Sequence, residues 1–252
     1  MLSSAPPPLI GDEPTISNER YMAAINALSS AESVEVLRRR LIRHLSIKTA
    51  SYHHIPAVGS YNFERLNRYF AYNVPHEVAE YFDSDAPQND PGMHFVFSQA
   101  RAMWLSELAN MEEFAMQKHK IRLQNALEFI GDCLAIPLFG PFHRRGYFVL
   151  CFDKPREFFD DIFQWQVQSI LQALHLRYCL VVENIRVSAR LTTRESEVLE
   201  LITFGKTNPE IATILGISPN TVTGYVKKIF IKLDVQDRVT AALRASSFSL
   251  VT

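Results

Sequence analysis

Long apolar runs are missing from this 252-residue sequence. No stretch approaches the ~20 residues needed to span a bilayer, and the longest, at 147–152 and 179–182, are short enough to read as core. The N-terminus shows no basic region followed by an apolar one, so no secretory signal is legible. The reading is a cytoplasmic protein with no membrane partner. Cysteine is scarce: Cys133, Cys151 and Cys179 are odd in number, far apart and flanked by apolar residues. They are expected to be buried free thiols in a reducing compartment. A glycine-rich phosphate loop and a GxSxG element are both absent, and no serine has an evident base partner, so no catalytic residue is predicted. His53, His54 and His76 do not make a metal site, because adjacent histidines on a strand point to opposite faces and no cysteine is near in sequence. Asp83, Asp85 and Asp90 lack the glycine and terminal glutamate of a calcium loop. No metal is expected.

What is present fits two domains of ordinary size. Residues 1–17 open with four prolines in the first fourteen positions and are expected to form a disordered tail. Apolar residues at helical spacing predict helices over 18–28 and 33–45. Short apolar segments broken by turn residues predict strands within 46–72. Two stronger strands, 133–139 and 146–152, are joined by a hairpin-like connection. A long amphipathic helix is predicted over 158–184, followed by a linker at 185–190. Strands flanked by helices indicate an α/β domain, an α-β-α sandwich, over 18–184. A small all-α module occupies 191–252.

That module carries the sharpest signals. Thr207 precedes Asn208-Pro209-Glu210, a capping residue with proline at the opening of a helix. Ser218 precedes Pro219-Asn220-Thr221 in the same way. Between them Gly216 ends one helix and turns into the next. Helix, glycine turn, capped helix is the helix-turn-helix pattern, whose second helix enters the DNA major groove. Val222, Val226, Ile229 and Leu233 form the buried stripe of that second helix. Thr221, Thr223, Gly224, Lys227 and Lys228 lie between them and are predicted to face outward. Residues 218–232 hold three lysines and no carboxylate, whereas 191–252 as a whole hold seven Lys/Arg and six Asp/Glu. A local positive strip on a nearly neutral module suits phosphate docking.

The module resembles the C-terminal DNA-binding domain of LuxR-type transcriptional regulators. The match is LTxRExEVL at 191–199, GKTNxEIAxxLGIS at 205–218 and TVxxxVxxIxxKL at 221–233. The resemblance implies double-stranded promoter DNA as partner, with Thr223, Gly224 and Lys227 at the bases and Lys228 beside the phosphate backbone; the helix-opening residues Thr207, Ser218, Asn220 and Thr221 are expected at the DNA with them. It places Glu195, Leu199 and Gly205 on the family's structural signature. Tyr225 replaces the usual histidine, and Thr223 with Gly224 lack the long side chains often used for guanine readout. A homodimer is implied, or a heterodimer with a related regulator, and RNA polymerase would be a further partner of an activator.

Asp90-Pro91 sits among Tyr81, Phe82, Phe95, Phe97 and Trp104. The residues alone leave two readings open: a small-molecule pocket with one carboxylate, or a capped turn beside an aromatic core. The N-terminal domain resembles, more weakly, the autoinducer-binding domain of the same family. The resemblance rests on the interval from Tyr81 to Asp90-Pro91, on 126–129, on Ile136-Pro137-Leu138 and on Gly140-Pro141. It implies an acyl-homoserine lactone or another small apolar ligand, no other cofactor, and contacts from Tyr81, Asp90 and Trp104. The family's lactone-binding tryptophan is replaced, by Glu77 or Val78 according to the register chosen. A second family tryptophan falls on Leu105, beside Trp104, and Cys133 stands where a glycine is usual. The ligand-independent alternative is a regulator that acts through heterodimerisation.

Overall fold

Serine caps start the first two helices. Ser17 Oγ accepts from Arg20 N to open α1 (Asn18–Ser29), and Ser33 Oγ accepts from Val36 N at 3.2 Å to open α2 (Val34–His44). The computed structural model describes residues 9–56, 69–76, 90–111, 124, 126–141, 143–182 and 191–247. By its internal contacts the chain divides into two units, the second formed mainly by Glu183–Thr252.

In the first unit a five-stranded antiparallel sheet has the order β2-β1-β5-β4-β3. Its strands are β1 (Ile47–Ile55), β2 (Tyr69–Tyr72), β3 (Met103–Trp104), β4 (Leu134–Phe139) and β5 (Arg145–Phe152). Strands were expected within 46–72, and β1 runs for nine residues to Ile55 with β2 at Tyr69–Tyr72; residues 57–68 lie outside the described ones. Side chains alternate between two buried faces. Ala50, Tyr52, Ile136, Phe148 and Leu150 pack with α1, α2 and the long helix α5 (Phe163–Val182). Ala135, Tyr147, Val149 and Met103 pack on the other side, with Met93 and Val96 of α3 (Pro91–Gln99) and Leu105 and Leu108 of α4 (Leu105–Ala109). The sheet is therefore covered on both faces, an α-β-α arrangement.

Three sequence expectations need correction. Residues 9–17 are not a loose tail: Ile10 and Ile16 are buried, and Ile10 bonds through its N–H to His44 O and through its carbonyl to Ser46 N. A single strand-like bridge and two buried apolar side chains hold this segment, which contains only one of the four prolines, Pro14. Helix α5 begins at Phe163 and not at 158, because the Asp160 carboxylate accepts from Ile162 N and Phe163 N and fixes the start. Cys133 and Cys151 are not free thiols but a disulfide. The pairing of Leu134 with Leu150 sets Cys133 directly across from Cys151, with Cα atoms 4.3 Å apart. Cys179 is buried and takes no part in the disulfide.

The second unit contains α6 (Thr193–Thr203), α7 (Asn208–Leu215), α8 (Pro219–Leu233) and α9 (Arg238–Ser247). Val198, Leu199, Ile202, Ile211, Val222, Ile229, Leu233, Ala241 and Ala245 close its core. Among the described residues, no helix is long and apolar enough to cross a membrane.

Candidate nucleic-acid interface

Each helix of the second unit is started by its own sequence. Thr192 and Glu195 form a reciprocal capping box at α6: Glu195 N bonds Thr192 Oγ1, and Thr192 N bonds the Glu195 carboxylate at 2.7 Å. At α7 the Glu210 carboxylate accepts from both Thr207 N and Thr207 Oγ1, each at 2.7 Å. These bonds hold the Glu210 carboxyl below its usual range. Gly216 follows α7 at φ +65°, a left-handed turn that glycine adopts without strain. Ser218 Oγ then accepts from Thr221 N at 3.1 Å and starts α8. The helix-turn-helix expected from these residues is what the chain forms.

Helix α8 turns Val222, Ile229 and Leu233 into the core and leaves Thr221, Thr223, Gly224, Lys227 and Lys228 exposed. Thr207, Ser218 and Asn220 are exposed as well, although the first two side chains are engaged as caps. Lys228 Nζ lies 5.9 Å from the centre of the Tyr225 ring, a cation–π distance. A Cβ placed on Gly224 would meet nothing within 4 Å, so the unit's own packing does not require glycine there.

The third lysine of α8 behaves differently. Lys232 Nζ is 2.6 Å from Glu195 Oε2, and the Glu195 side chain is only 4% exposed. Burial pushes the Glu195 carboxyl up, but Lys232 and the Thr192 hydrogen bonds more than offset it and hold the group below its ordinary value. The pair ties α6 to α8, so the positive strip is shorter than residue counting suggests. Other polar links fix the helix from outside. Arg238 of α9 bonds Lys206 O and Asn208 Oδ1, and Asn208 Nδ2 bonds Thr223 Oγ1 at 3.2 Å. Arg244 Nη1 donates to the carbonyls of Leu233 and Asp234, closing the C-terminal end of α8. Neither arginine contact was legible in the sequence, because both cross between helices.

Of the predicted ligand residues, Asp90 and Trp104 are described, and they belong to different layers. Tyr81 lies outside the described residues. Asp90 caps α3, its Oδ1 accepting from Gly92 N at 2.8 Å. Trp104 is buried on the opposite side of the sheet from α3, in the layer of α1 and α5, and stacks on Phe159 with ring centres 6.0 Å apart. The alternation of β3 explains this: Met103 faces α3, so Trp104 faces away. Among the histidines, His53 and His54 are buried and His76 is exposed. His54 meets His175 and Cys179, a cluster that spacing along the chain does not reveal.

Residues 189–245 match the family described as "Bacterial regulatory proteins, luxR family". The transcriptional regulatory protein DesR of Bacillus subtilis (strain 168) is 31% identical over 137 residues, which cover 50% of this chain and 67% of DesR. YhcZ of the same organism, an uncharacterized transcriptional regulatory protein, is 48% identical over 61 residues, 24% of this chain and 28% of its own length. The chain therefore spans little more than a quarter of YhcZ. Among solved structures, Escherichia coli SdiA superposes with a TM-score of 0.68 at 19% identity, covering 93% of this chain and 98% of SdiA. SdiA in complex with octanoyl-rac-glycerol gives a TM-score of 0.63 at 21% identity, over 93% of this chain and 97% of that one. The likeness to SdiA is one of fold.

Proposed function

The chain belongs to the luxR family of bacterial regulatory proteins and is a transcriptional regulator of that type, and from this premise we propose that it binds double-stranded promoter DNA in the cytoplasm as a dimer, with α8 in the major groove. One observation carries the reading: α8 is held by core packing on its inner side and by polar links to α6, α7 and α9, and presents a carboxylate-free outer side of small polar residues and two lysines. Lys227 and Lys228 would meet phosphates, while Thr221, Thr223 and Gly224 would lie against base edges. Of the residues that open α8, Pro219 has no N–H and Thr221 N is taken by Ser218 Oγ, so the Asn220 N–H, at the positive end of the helix dipole, would be the phosphate contact. Fluorescence anisotropy of a duplex selected by the full chain tests this. Lys227→Ala should weaken binding, and unchanged affinity would count against it.

Dimerisation fits the exposed apolar residues. Helix α9 leaves Val239 and Leu243 exposed one turn apart, and α5 leaves Trp165, Leu176 and Leu180 exposed. A second copy docked on them would bury that surface and match the two-fold symmetry of a DNA half-site pair. Native mass spectrometry of wild type and of Val239→Glu/Leu243→Glu should show a dimer and its loss.

Sensing of a small apolar molecule is the second reading, favoured by one feature: the layer between α3 and the sheet is lined with Met93, Phe97, Met103 and Tyr147. SdiA, whose fold this chain shares, has been solved with a monoacylglycerol, octanoyl-rac-glycerol. In this reading Asp90 and Tyr81 take the ligand's polar end, and Trp104, stacked in the other layer, does not. Asn caps a helix about as well as Asp, so Asp90→Asn should keep its stability while losing any thermal shift with octanoylglycerol or an acyl-homoserine lactone. A wild-type protein that shifts with neither, yet co-purifies with a related regulator, would favour ligand-independent heterodimerisation.

A further inference from the structure

On the α5 side of the sheet, three side chains with metal-binding atoms converge in a fully buried place. His54 comes from β1, and His175 and Cys179 come from successive turns of α5. They are 1%, 0% and 0% exposed, and one donor atom of each lies within 4.8 Å of the others. Cys179 Sγ is 3.7 Å from His175 Nε2. Donors around a bound Zn2+ are separated by roughly 3.3–3.8 Å, given metal–nitrogen and metal–sulfur bonds of about 2.0 and 2.3 Å. The helix pair is already at that spacing.

Two neighbours shape the cluster. Tyr52 Oη lies 2.7 Å from His175 Nδ1. A histidine that ligates a metal through one nitrogen characteristically donates its other N–H to an oxygen, which fixes tautomer and ring orientation. Tyr52 supplies that oxygen, so Nε2 is the nitrogen turned toward Cys179. Gly146, paired across the sheet with His54, makes the room: a Cβ there would stand 2.6 Å from His175 Nδ1 and 3.0 Å from Tyr52 Cε2. Glycine inside a central strand commonly marks such a close approach.

We propose that His54, His175 and Cys179 bind a single thiophilic transition-metal ion, Cu+ or Zn2+, joining strand β1 to helix α5. Two imidazoles and a thiolate are borderline-to-soft donors that suit both ions and not Mg2+ or Ca2+. Cu+ with one thiolate is electrically neutral, the lesser penalty in a buried apolar setting. Binding releases the Cys179 thiol proton to solvent.

The test uses the full chain, stripped by a chelator and titrated with Zn2+, or with Cu+ kept reduced by ascorbate, against chromophoric chelators. One equivalent should bind, and the choice of ion distinguishes the two sources. Cys179→Ser and His54→Ala should each lose at least about tenfold in affinity, whereas His76→Ala, at an exposed histidine, should not. Should the buried variants fail to fold, X-ray absorption of the loaded wild type must show one sulfur and two imidazole nitrogens around the ion. No stoichiometric binding of either ion, wild-type affinity in folded Cys179→Ser, or a sulfur-free coordination sphere would overturn the site.

Discussion

Lys232 Nζ lies 2.6 Å from Glu195 Oε2, which turns one of the three lysines of α8 toward its own domain. The helix therefore offers Lys227 and Lys228 outward, and its three lysines should behave as two classes. Lys227→Ala and Lys228→Ala should each lower the slope of log affinity against log salt by ~0.9, the amount expected for one lost phosphate contact. Lys232→Ala should leave that slope unchanged and instead lower the urea midpoint. Anisotropy titrations at several salt concentrations, with parallel urea melts, separate the two effects. Equal slopes for all three variants would contradict the assignment.

Glu195 should make the second unit sensitive to acid. Its carboxyl is held below the usual value in the folded state. The stability it contributes is complete above the unfolded glutamate value of about 4.3 and is lost as pH falls through that value toward the lower, folded one. The urea midpoint should fall below about pH 4.5 in the wild type and fall less in Glu195→Gln. At neutral pH Glu195→Ala should cost about 1–2 kcal/mol, since it removes the α6 capping box and an ion pair to the exposed Lys232.

Gly224 separates stability from function. With open space around its Cα and a place inside a helix, Gly224→Ala should stabilise the unit by about 0.5–1 kcal/mol. The same methyl would stand where DNA approaches, so affinity should fall by about tenfold, or ~1.4 kcal/mol. A variant that is both more stable and equally tight would remove Gly224 from the interface.

The cross-strand bridge is checked by counting thiols. A chain unfolded in urea without reductant should expose one reactive thiol, that of Cys179, and three after reduction. Reduction should lower the stability of the first unit by about 3 kcal/mol, the chain-entropy value for a loop closed over 18 residues. Three thiols before reduction would mean the bridge is not formed.

The helix-turn-helix was legible because its instructions are local. Thr207, Ser218 and Gly216 each act within a few residues of themselves, and the buried stripe of α8 follows from its spacing. Helices α1 and α2 were legible for the same reason, to within a residue or two at each end. What escaped depends on residues brought together from far apart. The Cys133–Cys151 bridge needs the β4–β5 register, the Glu195–Lys232 pair needs the packing of α6 on α8, and His54 meets His175 and Cys179 only once β1 lies under α5. The resemblance put Trp104 in the ligand set as the neighbour of Leu105, and a one-residue step along a strand moves a side chain to the other face of the sheet.

The most direct test of the central claim is site-specific photocrosslinking. A photoreactive residue at Thr223 of α8, and another at the exposed Met22 of α1, would be irradiated with a duplex that the full chain has enriched from a random pool. Covalent attachment at position 223 and none at position 22 is the predicted result. Equal yields at both positions, or no duplex enriched at all, would contradict the placement of α8 against DNA.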